Sequence, residues 1–175
     1  MAVEDKYVES SYFNAAGELL KKLPSWKNGS SRCGAMIARA AIAGADDDGS
    51  KYRLFANLPS TLRPFRILFW CDAITNGTDY DLGFYKPLKD GGAVIDKDNL
   101  MNGQTMASAV DISGTALNGM SAVAHADLGK TLYELAGLTY AQSLANRHID
   151  IVLTANTVGS AAGNITCLME YLLDG

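Results

Sequence analysis

Between residues 33 and 173 apolar side chains recur mostly at every second position, in short runs broken by Gly, Asp and Asn. That period predicts strands joined by turns. Residues 33–43 alternate small and apolar side chains, and Asp46-Asp47-Asp48-Gly49-Ser50 makes an abrupt turn ahead of Tyr52-Arg53-Leu54-Phe55. The strongest strand signal covers 65–74. Phe65, Ile67, Phe69, Cys71 and Ala73 share one face, and Leu68, Trp70 and Ile74 the other. Two apolar faces predict a central strand covered on both sides. Asn76-Gly77-Thr78 turns the chain into a short strand at 80–85, closed by Pro87. Two further strands are read at 148–155 and 164–173. The loop-like stretch between them predicts an antiparallel pair.

Helical spacing is confined to a few places. Tyr12, Phe13, Ala16, Leu19, Leu20 and Leu23 form one stripe, with Ser11 as N-cap, Glu18 and Lys22 as an i,i+4 pair and Pro24 as the stop. Lys27-Asn28-Gly29-Ser30-Ser31 then reads as a linker. This helix either packs on its own domain or serves as an arm that docks on a neighbour. Asp96 is placed to cap a single turn through Leu100. Residues 102–126, rich in Gly, Ser, Ala and Asn, read as a long loop. Asp127 is read as the cap of a helix lined by Leu128, Leu132 and Leu135, with Gly137 at the C′ position and Leu138 as its apolar follower. The fold class expected is mainly β: an antiparallel β-sandwich or jelly-roll-like barrel with short helices. An N-terminal helical or extended arm with its linker takes residues 1–31, and the sandwich domain takes 32–175.

Composition narrows the function. The chain has 175 residues, 48% of them hydrophobic, so it can bury a core without staples. A formal charge of −4 with scattered basic residues argues against nucleic acid as a partner, because phosphate binding needs clustered Lys and Arg. No apolar run approaches a membrane span, and the acidic start lacks the apolar core of a signal peptide. Cys33, Cys71 and Cys167 lie far apart in apolar stretches, which predicts buried free thiols and no zinc site.

Each tempting motif has a structural explanation. Gly129-Lys130-Thr131 lacks the upstream glycine of a phosphate loop, where Ala124 stands. A calcium loop starting at Asp46 would need glycine and glutamate where Lys51 and Asn57 stand. His125 and His148 have no nucleophile in a reactive context, and Asp79 and Asp81 read as one face of an edge strand. No catalytic, cofactor or metal residues are assigned. The expectation is a binding or structural module and not an enzyme.

Five segments in order suggest a family: Asp81-Leu82-Gly83-Phe84-Tyr85, Gly92-Ala93-Val94-Ile95-Asp96-Lys97-Asp98, Leu132-Tyr133-Glu134-Leu135-Ala136-Gly137-Leu138, Asp150-Ile151-Val152-Leu153-Thr154 and Met169-Glu170-Tyr171. Their order and spacing resemble small virion structural proteins of tailed bacteriophages, of the head-decoration or cement type, over about residues 33–173. The resemblance implies a protein of the capsid surface, assembled in the host cytoplasm, that holds the major capsid protein and copies of itself, as a trimer. It implies no cofactor, substrate or turnover. Tyr7, Tyr12, Phe13 and Trp26 are then candidate contacts with a neighbour or the shell, the alternative being packing on their own β core. A tail, fibre-base or head–tail joining protein, and a carbohydrate-binding β-sandwich, are the rival readings.

Overall fold

Two open sheets face each other in a computed structural model that describes residues 5–7 and 31–174. The larger sheet has five strands in the order β1-β3-β8-β5-β6, and the smaller has four in the order β2-β9-β4-β7. The strands are β1 (Asp5–Tyr7), β2 (Ser31–Ile42), β3 (Ser50–Pro59), β4 (Arg63–Cys71), β5 (Asp79–Tyr85), β6 (Val94–Gln104), β7 (Leu117–Asn118), β8 (His148–Thr157) and β9 (Gly163–Asp174). Every pairing is antiparallel except β1 on β3. The mainly β, sandwich-like architecture expected from the alternation is the one observed. The expected helix at 11–23 and its linker lie outside the described residues.

The core lies between the sheets. Met36, Ala38, Ala40 and Ile42 of β2 and Ile165, Cys167 and Met169 of β9 meet Tyr52, Leu54, Leu82, Phe84, Ile151 and Leu153 across it. Each set repeats every second residue, as the sequence pattern required.

Several local readings are corrected. The strands at 148–155 and 164–173 do not pair: β8 lies between β3 and β5, and β9 lies between β2 and β4. The intervening loop crosses from one sheet to the other, a step that strand periodicity does not reveal. β5 is interior, between β8 and β6, with residues 80–85 all buried, so Asp79 and Asp81 do not lie on an edge strand.

Among the described residues the core covers β4 on one side. Ile67, Phe69 and Cys71 face the core, whereas Leu68 and Trp70 are half-buried on the outer face. A register shift between Pro64 and Arg66 puts Phe65 outside, 41% exposed.

Asp96 does not start a helical turn. It lies in β6, which bulges as it passes β5: Leu82 pairs with Met101 and Phe84 with Asp96. The bulge is admitted by Gly83, where a Cβ would strike the Asp96 carbonyl oxygen and the Lys97 backbone.

Asp127 caps no helix and lies in a single 3-10 turn, His125–Asp127. The helix α1 (Leu132–Leu135) begins four residues later with Thr131 as N-cap. The competing cap won because Thr131 and Glu134 form a reciprocal capping box: the Thr131 amide donates to Glu134 Oε2 at 2.8 Å, and the Glu134 amide to Thr131 Oγ1 at 3.4 Å. Leu128 is accordingly 49% exposed. The C-terminal reading holds. Gly137 has φ +67°, its amide donates to the Glu134 carbonyl, and the Leu138 amide donates to the Tyr133 carbonyl.

Candidate interaction surface

The end of the sandwich where β3 closes and β8 opens carries a short helical cap. The turn 60–62 receives the backbone amides of Leu132 and Tyr133, which fixes α1 to the β3–β4 connection. Leu132 and Leu135 are buried beneath it, and Leu138 packs half-buried on the core. A second helix, α2 (Tyr140–Ala145), follows at once, started by a capping box between Thr139 and Gln142. Of its residues only Ser143 is buried, so Tyr140 (68% exposed) and Leu144 (54%) project outward one turn apart. β6 begins at the same end, with Val94 opposite Tyr85, and exposes Val94 there.

Beside this cap lies a groove of about 420 Å³ whose lining includes Phe65, Arg66, Met120, Val123, His125 and Leu128. Arg63 Nη1 donates to the Gly129 carbonyl at 2.7 Å and ties the groove's wall to β4. Phe65, Leu128, Val94, Tyr140 and Leu144 thus give one end most of the exposed large apolar side chains among the described residues. Apolar anchors within a polar surround suit a surface for a macromolecular partner.

The buried side chains of Arg53, Asp150 and Asp81 are committed to the fold. Arg53 and Asp150, both fully buried, pair at 2.8 Å, and Arg53 also donates to the Lys86 and Gly92 carbonyls. Asp81 accepts from Asn156 Nδ2 at 2.6 Å and from the Gly103 amide at 2.9 Å, with Lys97 Nζ at 3.3 Å. Asn156 also reaches Asp79, so the two carboxylates do share a face, bridged by an amide. A hydrogen bond with Asp96 raises the Asp98 carboxyl above the ordinary aspartate range. Among the described residues no three His, Cys, Asp or Glu side chains converge as metal ligands.

The singled-out residues are dispersed. His125 is exposed in its turn, and His148 is half-buried at the start of β8. Asp46 accepts the Tyr52 hydroxyl at 2.6 Å and Asp48 the Val158 amide at 2.9 Å, so the acidic turn clips β2–β3 onto the β8–β9 loop. Cys71 and Cys167 are buried as expected, and burial raises both thiols; Cys33 is exposed, because it lies near the start of β2 on the outward face. Tyr7 closes β1, while Tyr12, Phe13 and Trp26 lie outside the described residues. Sequence reasoning missed Tyr140 and Leu144. The Thr139–Gln142 spacing of a capping box was their signal.

No protein-family model matches the chain, and no curated protein matches it in sequence. In fold it is similar to a chain of the solved structure "Cyanophage Pam1 capsid asymmetric unit", with TM-score 0.52 and 16% identity over 93% of this chain and 99% of that one. It is also similar to a chain of "Capsid of Ralstonia phage GP4", with TM-score 0.52 and 15% identity over 89% of this chain and 92% of that one. The similarity is one of fold and spans nearly the whole of each chain.

Proposed function

We propose that this chain is a phage capsid-associated structural protein that decorates the shell and bridges neighbouring capsomers. The observation that supports this reading best is the fold shared, over nearly full length, with chains from two phage capsid structures. The likeness covers 93% and 89% of this chain and 99% and 92% of the two capsid-derived chains. The protein works by holding and not by turnover. Its partners are the major capsid protein and copies of itself on the capsid surface, after assembly in the host cytoplasm.

A trimer touching several shell subunits gains avidity from contacts that are weak one at a time. The exposed end with Phe65, Leu128, Tyr140 and Leu144 supplies apolar anchors for such contacts.

The test is to image particles and locate and count this chain, and to heat particles assembled with and without it. Many copies on the shell lattice, and earlier rupture without them, are expected. A few copies at a single vertex would favour a head–tail joining role, and equal heat resistance would overturn the cementing role.

A further inference from the structure

Two exposed features lie along the β7 margin of the four-stranded sheet, where β7 ends the strand order. The first is Ile112, 88% exposed and the most exposed large apolar side chain among the described residues. Its loop is pinned at both feet: Val110 bridges Cys71 at the end of β4, and Leu117 stands opposite Phe69. The tip is stiffened by the Asp111 carboxylate, which accepts from the Ser113 amide at 2.8 Å, the Ser113 hydroxyl at 2.6 Å and the Gly114 amide at 3.0 Å. Those bonds hold the Asp111 carboxyl below its ordinary range, so an anion stands beside the apolar tip. The second feature is the groove of about 420 Å³, at the other end of β4. Phe65, Met120 and Leu128 give it an apolar lining, Arg66 and His125 are its basic side chains, and among the described residues no carboxylate lines it.

We propose that this groove receives Ile112 of a second copy of the chain. The loop does not serve its own groove. Ile112 lies two residues beyond Val110, a reach of about 7 Å, whereas Phe65 lies six residues back from Cys71 along β4, about 20 Å away. Charge favours a copy of this loop as the occupant. An apolar tip with the Asp111 carboxylate beside it meets an apolar floor with Arg66 and His125 beside it. Arg66 is 57% exposed and 3.5 Å from Glu170, so its guanidinium stands at the groove's mouth within reach of an incoming carboxylate.

Both halves of the contact are formed before they meet. The Gly119 amide donates to the Ile67 carbonyl at 2.8 Å and Arg63 to the Gly129 carbonyl at 2.7 Å, which fixes the walls of the groove against β4. The bonds to Asp111 fix the tip. Association therefore orders little chain that was loose beforehand. Knob and groove are different patches, so each copy gives one and receives one, and the contact closes into a ring of copies where the rotation permits. The inference deepens the self-association in the reading above, and leaves Tyr140, Leu144 and Val94 to the shell. Its test uses no capsid, so it and the decoration role fail separately.

Sedimentation of the purified full chain over a concentration series tests this. Reversible association is expected, weakened at least about tenfold by Ile112→Asp and by Leu128→Asp. Both side chains are exposed, so circular dichroism should show the two variants folded. A chain that stays monomeric throughout, or an Ile112→Asp chain that associates as the unmodified one does, would overturn the proposal. A second readout is covalent. In a Cys33→Ser background, copies carrying Ile112→Cys are mixed with copies carrying Ala124→Cys, a lining residue of the groove, and mildly oxidised. A 112–124 disulfide between copies is expected, at several times the yield obtained with Lys89→Cys in place of Ala124→Cys. Equal yields in the two mixtures would equally overturn it. Neither result bears on whether particles carry the chain, which imaging decides.

Discussion

Arg53 Nη1 donates to Asp150 Oδ2 at 2.8 Å, with both side chains wholly shielded from solvent. The pair joins the middle of β3 to the start of β8, and Asp150 also accepts the Asn57 amide at 2.7 Å. Asn57 has φ +54° at the irregularity in β3, so the carboxylate holds a strained stretch in place. Removing one member leaves a buried charge without its partner. Asp150→Ala should therefore cost about 3–5 kcal/mol, read as a lower urea midpoint, whereas Arg53→Met with Asp150→Leu should cost much less.

Gly83→Ala is expected to destabilise by roughly 1–3 kcal/mol or more, because the β6 backbone occupies the space of the new methyl. Gly114→Ala is the control. Its nearest neighbour would be the Asp111 carbonyl oxygen at 3.5 Å, ordinary contact, so its melting temperature should stay near that of the unmodified chain.

The capping box of α1 gives a pH signature. Hydrogen bonds from Thr131 hold the Glu134 carboxyl below its ordinary 4.5. A depressed folded pKa means the stabilisation is full above the unfolded value and is lost as pH falls through the folded one. Stability should therefore decline on acidification below about pH 4.5, and Glu134→Gln should flatten that part of the profile. Thr131→Ala should lower stability by about 1 kcal/mol at neutral pH. Unfolding curves across the acid range check both.

Thiol labelling distinguishes the three cysteines. Cys33 is exposed, whereas burial raises the thiols of Cys71 and Cys167 and keeps them protonated. At neutral pH the native chain should take one alkyl group, at Cys33, and the unfolded chain three; mass spectrometry with peptide mapping reads the difference.

The strands themselves were legible because each buries one face, so Ile67, Phe69 and Cys71, or Ile165, Cys167 and Met169, repeat with period two. Pairing was not legible, because alternation says which face is inward and not which strand lies alongside. The reading of β8 and β9 as partners failed on that ground. Asp81 misled for a different reason. A carboxylate in a strand suggests an edge, but here Asn156, Lys97 and the Gly103 amide compensate it in an interior position. At the candidate surface, Gly137 and Leu138 were recoverable from local chemistry, and Tyr140 and Leu144 could have been. The exposure of Phe65 was not, since it depends on a bulge fixed by β9.

The five-residue link between β8 and β9 has a consequence for how the protein is made. Each of these late strands sits between two earlier ones: β8 divides β3 from β5, and β9 divides β2 from β4. Until the stretch from His148 onward has emerged from the ribosome, neither sheet can close, and the apolar faces of four earlier strands must wait uncovered. Folding is therefore held back until nearly the whole domain has been synthesised, and premature termination before His148 should yield insoluble fragments, with no half-folded sandwich.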